Sequence, residues 1–360
     1  MQNITPPSLH ALGWHDTFAD AFAPHQAHSV PGRVSRTHRG GHLVVETAEG
    51  SVRARLAAQF RSLEDPTALP TVGDWVALGG ESIDGHPTVH TMLPRRSAIV
   101  RQAPADRPAE AQVLAANVDV MLIVMALDAV NQRRLDRYLA LAWQSGTSPV
   151  VVLTKSDRSD AVPDAIAAIE AATLAVPVHA LSALTGEGVE QLVPYLPAGR
   201  TAVLLGMSGA GKSTLANRLL GAEVLPTQAV RADGKGRHTT TRRELLMLPG
   251  GGLLIDTPGL RELGLWDADD GVAETFSDIE ELAAACRFAD CRHASEPGCA
   301  VTAAVRAGVL TQERLDSHRK LQRELAHLAR KQDVRLRQAD QRRWKQIQRS
   351  LRAHYRERDR

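Results

Sequence analysis

The clearest chemistry lies in Gly206-Met207-Ser208-Gly209-Ala210-Gly211-Lys212-Ser213. This run satisfies G-x-x-x-x-G-K-[ST] at every fixed position, and its small residues let backbone N–H groups close around phosphate oxygens. Lys212 is placed to reach β- and γ-phosphates, and the Ser213 hydroxyl, followed by Thr214, to join a Mg²⁺ shell. A Gly-rich turn before an ordinary helix is the alternative. The flanks argue against it, because Thr201–Leu205 reads as an apolar strand and Thr214–Leu220 as a helix, the context that phosphate binding requires.

A second set of residues concerns the base. Thr154-Lys155-Ser156-Asp157 ends the apolar run Val150–Leu153. An Asp there can accept from guanine N1–H and N2–H₂, a pair adenine does not offer, while the Lys155 stem lies along the ring. Leu181-Ser182-Ala183 follows another short strand, where a backbone N–H can meet guanine O6. Unrelated surface turns are the alternative for either motif alone; with the phosphate loop they make a guanine site. Downstream, Asp256-Thr257-Pro258-Gly259 follows a strand. Its carboxylate can hold Mg²⁺ through water, and Gly259 frees an N–H for a γ-phosphate. Between these lies Gly234-Lys235-Gly236-Arg237-His238-Thr239-Thr240-Thr241, polar and hydroxyl-rich, as a nucleotide-ordered segment would be. Thr240 is expected to complete the metal shell, with Thr239 next in line.

Cys286, Cys291, His293 and Cys299 form C-x₄-C-x-H-x₅-C. Three thiolates and one imidazole are the set a closed, structural Zn²⁺ site requires; three inert cysteines are the alternative. An odd cysteine count in so tight a cluster does not suit a disulfide framework. Residues 311–360 carry sixteen Lys or Arg against seven Asp or Glu, although the whole chain is only +2. That basic tail, with Arg342-Arg343-Trp344-Lys345, suits either a polyanionic partner or a solvated helix. No apolar run approaches the ~20 residues of a membrane span, and the first thirty residues contain neither Lys nor Arg, which argues against a secretory signal.

The elements that must position these groups fall into blocks. Short strand-like pieces at 32–35, 43–47, 52–56, 72–78 and 89–93, separated by Gly turns, suit a small barrel such as an OB-fold. Arg33, Arg36, Arg39, Arg53, Arg55 and Arg61 would give it a face for oligonucleotides. Residues 94–108 read as a linker. An α/β rhythm follows through Ile255, implying a mostly parallel sheet with ligands at the strands' carboxyl ends. Beyond Trp266 the chain reads as helical.

In ordinary small GTPases the phosphate loop precedes the guanine-reading motifs. Here Asp157 and Ser182 precede Gly206, so the domain is circularly permuted. With Val72-Gly73-Asp74, Leu93-Pro94-Arg95-Arg96-Ser97, Gly236-Arg237-His238-Thr239-Thr240 and the cysteine region, the chain resembles the ribosome small-subunit-dependent GTPase family, RsgA or YjeQ, over about residues 30–325. The resemblance implies a multi-domain protein: an arm at 1–29, an OB-fold β-barrel at 30–96, a circularly permuted P-loop GTPase domain at 97–265, a zinc-binding helical domain at 266–330 and a basic helical tail at 331–360. It implies a cytoplasmic, monomeric GTPase that uses GTP, Mg²⁺ and one structural Zn²⁺. The small ribosomal subunit would stimulate it, and it would bind rRNA late in that subunit's maturation. Two positions depart from common GTPase patterns. Thr154 stands where Asn is commoner, which is expected to weaken one contact to the base or phosphate loop. Leu260 stands where many GTPases place a water-orienting Gln, so His238 is the candidate for that task. The competing reading is a non-catalytic RNA-binding assembly factor in which nucleotide only locks a conformation.

Overall fold

The structure is a computed structural model that describes residues 8–38, 42–63, 65–102, 111–173, 175–225, 243–256, 269–294 and 296–332. Two compact units divide the chain, Met1–Gly264 and Leu265–Arg360.

The first unit opens with a short helix, α1 (Asp16–Phe22), and then a barrel. Strands β1 (Ser29–His38), β2 (His42–Thr47) and β3 (Gly50–Leu56) form an antiparallel meander, with helix α2 (Ala58–Arg61) after it. Strands β4 (Trp75–Ile83) and β5 (His86–Met92) pair with each other; β5 joins β3 in parallel and β4 joins β1, closing five strands into an OB-like barrel. Alternate residues of β2 are buried, and Leu43 and Val45 meet Val34, Val76 and Val89 inside, the period-two pattern of a one-sided strand. Asp84 and Gly85, both at positive φ, turn β4 into β5, as a two-residue hairpin loop requires.

The arm expected at 1–29 is, over residues 8–28, a plug on this barrel. Leu12, Phe18 and Phe22 are buried with Trp75 and Leu93, and Trp14 meets Trp75 edge-on at 4.7 Å. The chain has only five Trp and five Phe, and concentrating them here lets a seven-residue helix bury enough apolar surface to hold. Arg33 also departs from expectation. It is 1% exposed, not on an outer basic face. Arg36 and Arg53 are exposed, Arg36 pairs with Glu244 and Arg55 with Asp84, while Arg39 and the side chain of Arg61 lie outside the described residues.

After the barrel the expected linker contains half of an antiparallel ribbon, β6 (Ala98–Gln102) with β7 (Ala111–Ala116). Ile99, Leu114 and Ala115 pack into the next core, a burial too short to leave a readable period. Then come β8 (Val120–Ala126), α3 (Gln132–Gln144), β9 (Ser148–Thr154), α4 (Val162–Ala172), β10 (Val178–Ala180), β11 (Thr201–Leu205), α5 (Lys212–Leu220), β12 (Glu244–Met247) and β13 (Leu253–Asp256). The sheet order is β10-β9-β8-β11-β13-β12, parallel except for β12. All seven residues of β8 are buried: Met121, Ile123 and Met125 face the α3–α4 side, and Val120, Leu122 and Val124 the α5 side. A strand covered on both faces needs this continuous apolar run. Between β10 and β11 the chain forms a 3₁₀ helix, Val189–Tyr195, with Pro194 inside. A bridge between Arg36 and Glu244 joins the barrel's β1 to β12.

The second unit holds α6 (Asp269–Thr275), α7 (Ser277–Ala283), α8 (Ala300–Arg306) and α9 (Gln312–Gln332). Leu315, Leu321 and Leu325 of α9 are buried, as is Phe276. Arg314 grips Asp278 through two bonds of 2.6 and 2.8 Å, donates to Thr275 O at 2.9 Å and lies over the Phe276 ring.

Candidate functional site

The phosphate-loop motif leaves β11 at its carboxyl end. Gly206 turns there so tightly that a Cβ would stand 2.1 Å from the Val124 carbonyl of the neighbouring strand. Gly209 and Gly211 both adopt positive φ, +79° and +90°, which a side chain would resist. These conformations curl the backbone ahead of α5, placing Lys212 and Ser213 in the helix's first turn. Lys212 Nζ arches back over the loop, donating to Gly206 O at 2.7 Å and Met207 O at 2.6 Å. A cavity of about 330 Å³ opens against Met207, Ser208, Gly209 and Ala210, walled by the end of β8, Lys155 and, from α3, Arg134 and Tyr138.

Thr154 closes β9 and is buried. Its hydroxyl donates to the Ala210 carbonyl at 2.6 Å, with Met125 O at 3.3 Å. The sequence led us to expect a weaker contact at this position. The hydroxyl does reach the phosphate loop. Lys155 is left-handed, φ +64°, and starts the 3₁₀ turn Ser156–Arg158 that carries Asp157. Ser156 N donates to Leu181 O at 3.3 Å, tying this turn to the segment that holds Ser182 and Ala183. That segment closes on itself: Ser182 N donates to Glu187 O and Gly186 N to Ser182 O.

Arg218 had no assigned role in the sequence. From α5 it donates to Ala183 O at 3.3 Å and Leu184 O at 2.6 Å, so the helix that begins at the phosphate loop also holds the Ser182–Ala183 segment. Nothing in its local sequence separates Arg218 from a solvated helix arginine. Asp256 ends β13, which pairs in register with β11. The structure thus brings Thr154–Asp157, Ser182–Ala183, Gly206–Thr214 and Asp256 to the carboxyl ends of adjacent strands. His238, Thr239, Thr240, Gly259 and Leu260 lie outside the described residues, as do Trp344 and its basic neighbours.

In the second unit, Cys286, Cys291, His293 and Cys299 present ligand atoms all within 4.8 Å of one another, a group that could hold a metal ion. The Cys286 and Cys299 sulfurs are 3.8 Å apart, and His293 Nδ1 lies 3.6 and 3.5 Å from them. His293 takes a left-handed φ of +57°, and its carbonyl accepts from Arg319 of α9. Cys299 caps α8, its sulfur accepting from Thr302 N. Burial pushes this thiol up, but the bonds from Thr302 and its neighbours outweigh that and bring it down to about 6.

A family model described as RsgA GTPase matches residues 92–266. The small ribosomal subunit biogenesis GTPase RsgA of Streptomyces coelicolor is 51% identical, covering 92% of this chain and 90% of its own length. That of Opitutus terrae is 47% identical, covering 97% and 98%. Among solved structures, YjeQ from Thermotoga maritima is 27% identical with a TM-score of 0.60, covering 83% of this chain and 99% of its own. YloQ, a circularly permuted GTPase, shares the fold with a TM-score of 0.59 at 24% identity, covering 84% and 97%. With the permuted motif order, the OB-like barrel and the Cys₃His group all in place, the chain belongs to the RsgA GTPase family.

Proposed function

We infer that this GTPase acts in biogenesis of the small ribosomal subunit, that the subunit stimulates its hydrolysis of GTP to GDP and phosphate, and that it binds rRNA. The observation that carries this reading is the identity of about half over nine-tenths of the chain to enzymes of that name, joined to a braced guanine-and-phosphate site. Asp157 reads the guanine edge, with Lys155, Ser156, Ser182 and Ala183 around it. The backbone of Gly206–Thr214 cradles the phosphates, with Lys212 on their β- and γ-oxygens. A bound Mg²⁺ would supply neutralisation of the phosphate charge. Ser213 and Thr240 would hold it directly and Asp256 through water. The Gly259 and Thr239 segments meet the γ-phosphate, and His238 orients the attacking water. A Leu at 260 cannot, which makes the unstimulated enzyme slow.

The Cys₃His group supports a structural Zn²⁺. Tetrahedral bonds of about 2.3 Å to sulfur and about 2.0–2.1 Å to nitrogen put sulfurs about 3.8 Å apart and sulfur and nitrogen about 3.6 Å apart, close to the separations found here. The exposed Arg36 and Arg53 of the barrel and the basic tail are the rRNA contacts in this reading. Among the described residues no helix is long and apolar enough to cross a membrane; in this reading the protein works as a monomer in the cytoplasm.

Purified small subunits should raise GTP turnover at least tenfold, and an unchanged rate removes the ribosome-dependent reading. His238→Ala should lose stimulated turnover while still sedimenting with subunits; full turnover in that variant would take the water-orienting role from His238. At the base site, Thr154→Val removes one buried hydrogen bond and leaves the Ala210 carbonyl without its donor. A bond of this kind contributes about 1 kcal/mol, so the Kd for a fluorescent GTP analogue should rise about fivefold. An unchanged Kd would show that the link between loops is not used in binding.

A further inference from the structure

Arg33 connects four separate parts of the first unit. Its Nε donates to Gly73 O at 3.1 Å, one terminal nitrogen to Leu12 O at 2.6 Å and Thr201 Oγ1 at 2.9 Å, and the other to Asn117 O at 2.9 Å. The acceptors are three carbonyls and one hydroxyl, and the guanidinium packs against Trp75 at 5.7 Å. Burial pulls its pKa down to about 10, with Asp119 and Asp74 opposing, so it is still a cation at neutral pH. An apolar side chain would fill this space at lower desolvation cost. What the guanidinium adds is a fixed geometry between barrel, plug and nucleotide domain.

Thr201 is the telling acceptor. Its amide donates to Asp119 Oδ2 at 2.8 Å, its carbonyl accepts from Asp119 N at 2.8 Å, and its hydroxyl accepts from Arg33. It opens β11, whose five residues run directly into Gly206. An extended strand advances about 3.3 Å per residue, and β8 and β13 hold this one in register on both sides. A displacement of the barrel at Arg33 is therefore delivered to the start of the phosphate loop. The barrel and nucleotide domain are also in close backbone contact beside it, since a Cβ on Gly73 would lie 2.0 Å from Ala116 O.

We propose that Arg33 is a positioning residue through which engagement of the barrel by the small subunit sets the phosphate loop for hydrolysis, an inference that rests on the subunit-dependent reading above. Arg33→Met would remove four bonds at once, leaving Gly73 O only its bond from Asn117 Nδ2, and endanger folding, so the informative change is Thr201→Val, which removes one acceptor and leaves the other three bonds. In the full-length protein, Thr201→Val should keep the intrinsic kcat, the KM for GTP and subunit binding within twofold of the parent. Its subunit-stimulated kcat should fall at least fivefold. Thr201→Ser, which keeps the hydroxyl, should respond like the parent.

Stimulation of Thr201→Val within twofold of the parent overturns the proposal, as does an equal fall in its intrinsic and stimulated rates, and as does loss of response in Thr201→Ser. A parent protein that ignores subunits overturns the ribosome-dependent reading itself, and the proposal with it. A responsive parent beside a responsive Thr201→Val overturns the proposal alone.

Discussion

Lys212→Ala should lower GTP turnover by about 10²- to 10³-fold, the loss typical when one donor aimed at developing negative charge is removed. Lys212 sits in the first turn of α5 and arches over the loop onto the Gly206 and Met207 carbonyls. Its charge is therefore held at the mouth of the cradle. Alanine favours the helix at least as well as lysine, so the fold should survive; circular dichroism would check that, and phosphate release would measure the effect. Turnover within tenfold of the parent would mean that the loop backbone and metal suffice, and that this lysine is not the phosphate clamp.

Cys299→Ala should remove the Zn²⁺ proposed for the second unit and with it most of that unit's stability. A structural Zn²⁺ contributes on the order of 10–16 kcal/mol to folding in small zinc peptides, comparable to a whole domain's usual margin of ~5–15 kcal/mol. The unit depends on that contribution because its helices α6, α7 and α8 have seven residues each, too short to hold alone. Cys299 both faces the ligand cluster and caps α8. Bound zinc should drop from one equivalent to none, and limited proteolysis should clear residues beyond about 265 while the first unit still binds GTP analogue. A variant that keeps one zinc, or resists protease as the parent does, would contradict this.

How much of this was legible in the sequence follows from how locally each feature is encoded. The phosphate loop, the Thr154–Asp157 turn and the Cys₃His group depend on fixed spacing within a dozen or so residues, so their types and order were readable, permutation included. The barrel strands were readable as short pieces between Gly turns; β2 alternates buried and half-buried residues, while the middle of β1 and the start of β4 are buried on both faces. Arg33 and Arg218 were not. Each is an arginine whose role is set by acceptors far along the chain, from the Leu12 carbonyl to the Thr201 hydroxyl in one case and the Ala183 and Leu184 carbonyls in the other. A basic residue on a barrel strand reads as a surface charge until the fold closes over it. The aromatic plug failed for the same reason: its partner, Trp75, lies beyond three strands. The β6–β7 ribbon failed because Pro and charge around it masked strands of five and six residues. Thr154 was the opposite case. Its departure from the commoner Asn was plain, yet a hydroxyl at a strand end still spans the short gap to Ala210.

The wholly buried strand β8 has a consequence for how this chain is made. Chains emerge amino end first and fold as segments become available. In the finished sheet β8 lies between β9 and β11. Its neighbour β9 follows within the next thirty residues, but β11 arrives only when Thr201 has been added, and β13 later still. Until then an apolar strand presents an unpaired edge, the kind of surface that invites mispairing between chains. The permuted order puts the phosphate-loop strand β11 after the β8–β9 pair that it completes. The nascent protein therefore passes through a half-sheet stage, β8 with β9, before the phosphate-loop strand arrives, and a slow, chaperone-responsive folding step is the expected result.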